Sequence, residues 1–261
     1  MYLTILVLPL MGSIISGLWG RKIGVTGSHL ITIICLLLSS IFSSIAFYEV
    51  ILNNSPVEIN MTQWVNSEIL SINWGFLFDS LSVAMLIPVL FISTLVHVFS
   101  IDYMSGDPHN QRFFSYLSLF TFFMLILVTG SNYLVMFVGW EGIGIVSFLL
   151  ISFWYTRIQA VKAATQALIM NRVGDMLLSI GFFAMIALFG SLDYTTIFSL
   201  TPYINEIHIT IIGLLIFAGA TAKSAQIPLH VWLPASMEGL KLCLYTICFL
   251  LILLYMKRSY E

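Results

Sequence analysis

Charge is what this sequence has least of. Only 8% of its 261 residues are Asp, Glu, Lys or Arg, against 59% hydrophobic, and the mean hydropathy is +1.01. A soluble globular domain of this length needs far more polar surface, so that class is excluded and an integral membrane protein is implied. The net charge of -2 comes with no basic cluster, which argues against nucleic acid as a partner. Cysteine is also scarce. Cys35, Cys243 and Cys248 lie in apolar stretches and form neither a CxxC pair nor a Cys/His ligand set, so they point to packing and not to a metal or iron–sulfur site. A Gly-rich phosphate loop, a nucleophile elbow and HExxH are all missing, which leaves chemistry other than ion movement without a home. The N-terminus lacks a basic n-region and an Arg-rich presequence, and reads as a retained first helix with Pro9 as a tolerated kink.

What is present is long apolar runs. Residues 1–20, 23–48, 80–101 and 113–140 contain no Asp, Glu, Lys or Arg. Each is long enough to cross hydrocarbon, which takes roughly 20 residues, and too continuous for a barrel strand. The expected fold is all-α, a polytopic transmembrane bundle of about seven or eight spans. Helices fall at about 1–20, 29–48, 80–101, 112–130, 132–156, 163–190 and 208–239. With these spans Arg21, Lys22, Arg112, Arg157 and Lys162 share one side with Asp102 and Asp107. Glu49, Glu58, Glu68, Asp79, Asp193 and Glu206 share the other, which has no Lys or Arg. The positive-inside rule makes the basic side cytoplasmic or matrix and places the N-terminus outside. Residues 51–79 read as a polar loop, a structural cap anchored by interfacial Trp64 and Trp74.

Four ionisable residues interrupt the spans: Glu141, Arg172, Asp175 and Lys223. A charge at bilayer depth costs roughly 2.5–3.5 kcal/mol on insertion scales, so such residues line an ion path or pair with one another. Gly139, Gly142 and Gly144 flank Glu141 and let another helix or a file of water approach its carboxyl. Glu141 is therefore a candidate proton exchanger; the alternative is a protonated Glu bonded to a neighbouring helix. Arg172 and Asp175, three residues apart on one helix, share a face and can pair with each other or across the bundle. They either neutralise one another or set the field of a nearby carboxylate. Arg stays protonated, which removes Arg172 from the relay itself. Pro228 lacks the N–H that the carbonyl of Ser224 would receive, so the helix should break beside Lys223. Breaks at depth survive where freed backbone meets protein or water, and they mark ion pathways. Lys223 is the second candidate exchanger, against snorkelling or simple pairing with a carboxylate. At about 6 Å, with an effective dielectric near 20, Glu141 and Lys223 would couple by roughly 3 kcal/mol. His230 follows the break and either continues the relay or faces polar backbone; His29 and His97 read as structural.

Residues 74–81 (WGFLFDSL), 139–144 (GWEGIG), 171–175 (NRVGD) and 223–234 (KSAQIPLHVWLP) carry a resemblance in this order and spacing. Over residue 1 to about 239 the chain resembles the chain 5 family of proton-pumping NADH:ubiquinone oxidoreductase, the antiporter-like membrane subunit of respiratory complex I. The first stretch is similar to that family's N-terminal region, while the other three are shared more widely with cation/proton antiporter subunits. The resemblance implies N-terminal helices and loop over 1–110, the start of a proton-translocating antiporter-like domain over 111–239, and an atypical tail over 240–261. It also implies that Glu141 is the acid of the fifth core helix, Lys223 the lysine of the broken seventh, and Arg172 and Asp175 the charged pair between them. No cofactor or metal is implied in this chain; NADH, FMN, iron–sulfur clusters and ubiquinone belong to other subunits. The chain would be part of an NADH:ubiquinone reductase without redox chemistry of its own. The implied partners are other membrane-arm subunits and the lipid bilayer, in a mitochondrial inner membrane or, alternatively, a bacterial one.

The chain departs from the family pattern at its end. Ala235 stands where an acidic residue is usual, and Leu240 begins a tail unlike the family's Pro-Thr-Pro segment and its histidine-bearing helix. Residues 242–256 would form an apolar helix that emerges on the acidic side with Lys257 and Arg258, against the charge pattern. An intronic, truncated or misjoined tail is the expectation. The alternatives to a pumping subunit are thus a fragment or intron read-through product that inserts without pumping, and a cation/proton antiporter subunit.

Overall fold

The computed structural model describes residues 1–67 and 70–236. The expected tail helix, Cys243, Cys248, Lys257, Arg258 and Glu68 lie outside the described residues. Over the described ones the helical bundle is present: α1 (Tyr2–Leu18), α2 (Gly20–Phe47), α3 (Ser80–Tyr103), α4 (Asn110–Thr129), α5 (Tyr133–Ile151), α6 (Ile158–Phe189), the short α7 (Tyr194–Leu200), α8 (Glu206–Lys223) and α9 (Trp232–Ser236). Among the described residues six helical segments are long and apolar enough to cross a membrane, and α1 is a shorter apolar helix beside them. The helix expected from residue 29 starts earlier, because Gly20–Ile23 form a helical turn that joins the rest of α2 at Gly24, whose φ of 83° suits glycine.

Helix α2 buries mainly small and polar residues, Ser28, His29, Thr32, Ser39, Ser40 and Ser43 beside Leu36 and Ala46, whereas Leu30, Ile34, Leu37, Ile41 and Ile45 are exposed. Such an arrangement would fail in water but suits hydrocarbon, where helices associate through small and hydroxyl-bearing residues. The contact of α1 with α4 follows this rule. Ser118 Oγ donates to the Pro9 carbonyl and Ser115 Oγ to that of Ser13, each at 2.8 Å, and a Cβ on Gly17 would lie 2.7 Å from Ser115 Oγ. From there the packing runs α4 on α5, α5 on α6, and α6 on α8 and α9.

Local signals set the helix ends. Asp79 opens α3 with a reciprocal capping box, in which Ser82 N–H donates to Asp79 Oδ1 at 2.7 Å and Asp79 N–H to Ser82 Oγ at 2.9 Å. Asn132 caps α5 through Val135 N–H at 2.9 Å, and Gly190, at φ 70°, closes α6 in the left-handed conformation.

The segment expected to be a loop is instead an antiparallel hairpin of β1 (Val57–Asn66) and β2 (Ser71–Phe78). Alternation explains it: Ile72, Phe76 and Phe78 are buried, Trp74 is partly so, and Ser71 and Asn73 face out. Trp74 meets Trp64 edge to face at 5.0 Å across the strands. The capping role expected of this segment holds, because Asn132 Nδ2 donates to Asn73 O at 2.8 Å and Ser131 N–H to Gly75 O at 3.2 Å, tying the hairpin to the α4–α5 turn.

Both ends of the bundle keep the expected charge segregation. At the acidic end Tyr2 donates to Glu49 at 2.7 Å, and burial together with the neighbouring Glu58 carboxylate pushes the Asp193 carboxyl up. At the basic end Arg112 donates to Phe153 O at 3.1 Å. There Asp107 accepts from His109 N–H at 3.0 Å and from the Trp154 indole at 2.8 Å. Burial raises the Asp107 carboxyl, but those two donors, with the charges of His109 and Arg112, outweigh it and hold the group below its usual range. A carboxyl depressed in the folded state adds stability above its unfolded value of about 4 and loses it as pH falls through the folded one. Trp154 fluorescence in nanodiscs is therefore expected to change as pH drops below about 4, and Asp107→Asn should abolish that change.

Candidate functional site: four charges around Trp140

Close helix crossings position the site. On α5 a Cβ at Gly139 would lie 2.6 Å from the Leu127 backbone nitrogen, and one at Gly142 would lie 2.2 Å from the Phe123 ring. These two glycines therefore let α4 press against one face of α5, which leaves Trp140, Glu141 and Gly144 to meet α6 and α8. A second crossing joins α6 to α8. A Cβ at Gly174 would stand 2.3 Å from Ala222 Cβ, and one at Gly219 2.8 Å from Leu178 Cβ. Asp175 and Lys223 are the sequence neighbours of Gly174 and Ala222, so this contact brings two of the four charges to the same level.

The helix break falls where proline was expected to put it. Lys223 is the last residue of α8; Ser224 caps it, and Ala225 takes the left-handed conformation with φ 51°, an uncommon state for a residue with a Cβ. The freed carbonyls find protein donors: Gln226 N–H reaches Thr221 O at 3.0 Å, and the Trp232 indole reaches Ala222 O at 3.0 Å. Satisfied backbone of this kind is what tolerates a break at depth.

All four charges gather here, and of the two pairings open to Arg172 and Asp175 the structure has the one across the bundle. Arg172 turns away from its helix neighbour Asp175 and donates through Nη1 to Glu141 Oε1 at 2.9 Å, the one ion pair within 4.0 Å among the described residues. Its side chain lies at the bundle edge, 52% exposed, with Glu141 at 22%. Asp175 accepts from the Trp140 indole at 2.8 Å. Lys223 Nζ donates to the Trp140 carbonyl at 2.6 Å and lies 4.9 Å from the centroid of that ring. Glu141 and Lys223, whose coupling was expected on close approach, each take a different hydrogen-bond partner. His230 is exposed, and its ring bonds to none of the four.

Trp140, which bonds to both Asp175 and Lys223, is the member of the cluster that sequence reading passed over. Its signal was the indole N–H, a donor that needs an acceptor once buried inside a span.

A cavity of about 610 Å³ leads to the cluster from the acidic end. Asp79, Tyr133, Tyr194 and Thr201 line its outer part, and Trp140 and Lys223 its inner part. Most of the wall between them is aliphatic or aromatic, including Met136, Phe189 and Ile216.

Comparison with known proteins agrees with this architecture. A family model described as the chain 5 N-terminus of NADH-ubiquinone oxidoreductase (complex I) matches residues 64–114. A second, described as the transmembrane part of NADH:quinone oxidoreductase and Mrp antiporters, matches residues 130–251, reaching past Gly239 into the tail. NADH-ubiquinone oxidoreductase chain 5 of Mycosarcoma maydis is 65% identical over 240 residues. The chain belongs to the NADH-ubiquinone oxidoreductase chain 5 family. That alignment takes in 92% of this chain and 36% of the Mycosarcoma protein, so the chain spans about a third of the length of such relatives. A Neurospora crassa protein bearing the name of an intron-encoded endonuclease is 59% identical over 239 residues, 92% of this chain and 44% of that protein. In three dimensions the fold matches a chain of the archaeal membrane-bound sulfane sulfur reductase, with a TM-score of 0.83 at 17% identity, over 97% of this chain and 51% of the other.

Proposed function

We propose that this chain 5 family member is a membrane subunit of a proton-pumping NADH:ubiquinone oxidoreductase, located in the mitochondrial inner membrane with other membrane-arm subunits as partners. It contributes to proton translocation, while NADH, FMN, iron–sulfur clusters and ubiquinone are bound elsewhere in the complex. The observation that carries this reading is the cluster of four charges, in which Lys223 ends a broken helix at the inner end of a cavity while Glu141 is held by Arg172. Glu141 and Lys223 are the proton exchangers, and Arg172 and Asp175 set their field. His230, beyond the break, is a supporting member of the relay. Each proton moved against 100 mV costs about 2.3 kcal/mol, so the relay is driven by the redox subunits. Glu141→Gln in the full-length subunit is the test. Gln keeps the size and an acceptor for Arg172 but carries no exchangeable proton, so NADH-driven pumping in membrane vesicles should fall by about tenfold. Unchanged pumping would remove Glu141 from the relay.

A second reading rests on the Neurospora crassa relative, in which nearly the same stretch belongs to a protein with an endonuclease name. On that reading this chain is a read-through product that inserts without pumping. Sequencing the mature message beyond the codon for Gly239 separates the two: splicing into a Pro-Thr-Pro segment marks the tail as intronic.

A further inference from the structure

The two most deeply buried members of the quartet, Lys223 and Asp175, are 5% and 8% exposed and form no ion pair within 4.0 Å among the described residues. Each bonds to Trp140 instead, the aspartate at the indole and the lysine at the carbonyl. In an α-helix the carbonyl of residue 140 also receives the N–H of residue 144, and its second lone pair is what Lys223 takes. Gly144 lies beside this contact, where a Cβ would meet Nζ at 3.5 Å in ordinary van der Waals contact. The ring adds its negative face to the ammonium at 4.9 Å. Lys223 therefore rests on a seat without formal charge while the nearest acids are held by other donors. The charged groups facing it are Glu141 from α5 and Asp175 and Arg172 from α6; α9 presents Trp232.

Resting on the function proposed above, we infer that Trp140 is a positioning residue of the relay: its indole N–H holds the Asp175 carboxylate through Oδ1 while its carbonyl holds the Lys223 ammonium, so the two charges sit on separate atoms of one residue instead of pairing directly. A direct Asp175–Lys223 pair in so dry a place would fix the proton on the lysine. With the indole bound to Asp175, the lysine feels the aspartate's field but stays on the carbonyl and ring, free to exchange.

The test is the pH profile of NADH-driven pumping by the assembled complex, normalised to complex content. Trp140→Phe keeps the carbonyl and a ring face but frees Asp175 to pair with the ammonium, so the alkaline limb should move up by about one pH unit. Asp175→Asn keeps an acceptor for the indole but removes the anion, so the limb should move down by a similar amount. Combined with Asp175→Asn, Trp140→Phe should add no shift. A limb unmoved by Trp140→Phe, or moved equally in the Asp175→Asn background, overturns the inference. Should Trp140→Phe not assemble, Asp175→Asn decides alone, and a limb that stays in place overturns it. A role in folding alone would lower complex content and leave the profile where it was. Failure of the proposed function looks different, because Glu141→Gln would then leave pumping intact in the parent.

Discussion

Replacing Lys223 by methionine in the assembled complex is expected to cut NADH-driven proton pumping by about tenfold or more, and replacing it by arginine should not restore it. Methionine approximates the length of the lysine stem and fills the same slot. It leaves the Asp175–Trp140 bond in place and strands no acceptor, because the Trp140 carbonyl keeps its helix partner. The bundle should therefore assemble, with the exchangeable cation gone. Arginine keeps the charge but holds its proton at any accessible pH, and its planar fork does not fit a seat made of one carbonyl and one ring face. If Lys223 were only a counter-charge for Asp175, arginine would serve and methionine would fail. If it exchanges protons, both fail. Dye-reported acidification of membrane vesicles, set against the rate of NADH oxidation, distinguishes these cases.

Much of this was legible in the sequence because a bilayer leaves few choices. A charge-free run of twenty residues has to be a helix, and Glu141, Arg172, Asp175 and Lys223 stand out against such runs without any structure. Pro228 likewise pointed to the break after α8, since it cannot supply the N–H that the Ser224 carbonyl would receive in a continued helix. What stayed hidden was tertiary. Spacing along α6 places Arg172 beside Asp175, but the i,i+3 rule ranks neighbours on one helix and is silent on what a second helix offers. The α5–α6 crossing gave Arg172 a carboxylate on α5, and Trp140 took Asp175.

The hairpin was missed for another reason. Its polar content and Pro56 suggested a loop, yet Ile72, Trp74, Phe76 and Phe78 alternate with period two, a strand signal short enough to be overlooked between helices. The consequence reaches the site. Asn73 and Gly75 fix the α4–α5 turn through Asn132 and Ser131, and Asn132 sets where α5 begins, hence which way Trp140 and Glu141 point.

The remaining large effect concerns how Lys223 is brought to Trp140 at all. Gly174→Val is expected to destabilise the chain by about 1–3 kcal/mol and to abolish pumping in whatever complex assembles. The added Cβ has no free direction: Ala222 Cβ stands 2.3 Å away and the Gly219 carbonyl 3.1 Å, and the second of these is backbone that cannot rotate aside. The helices must separate, and because Lys223 follows Ala222 its ammonium is drawn off a contact only 2.6 Å long. Two further variants show whether the crossing itself is responsible. Ala222→Gly in a Gly174→Ala background removes the colliding methyl and should recover most of the stability lost by Gly174→Ala alone. Gly213→Ala, also on α8 but with nothing within 4 Å of its would-be Cβ, should be neutral or mildly stabilising. Thermal unfolding of the purified protein, read alongside pumping, gives both quantities. If Gly174→Val unfolded and pumped like the parent, the α6–α8 contact would not be what sets the position of Lys223, and the lysine would reach Trp140 by a route other than this crossing.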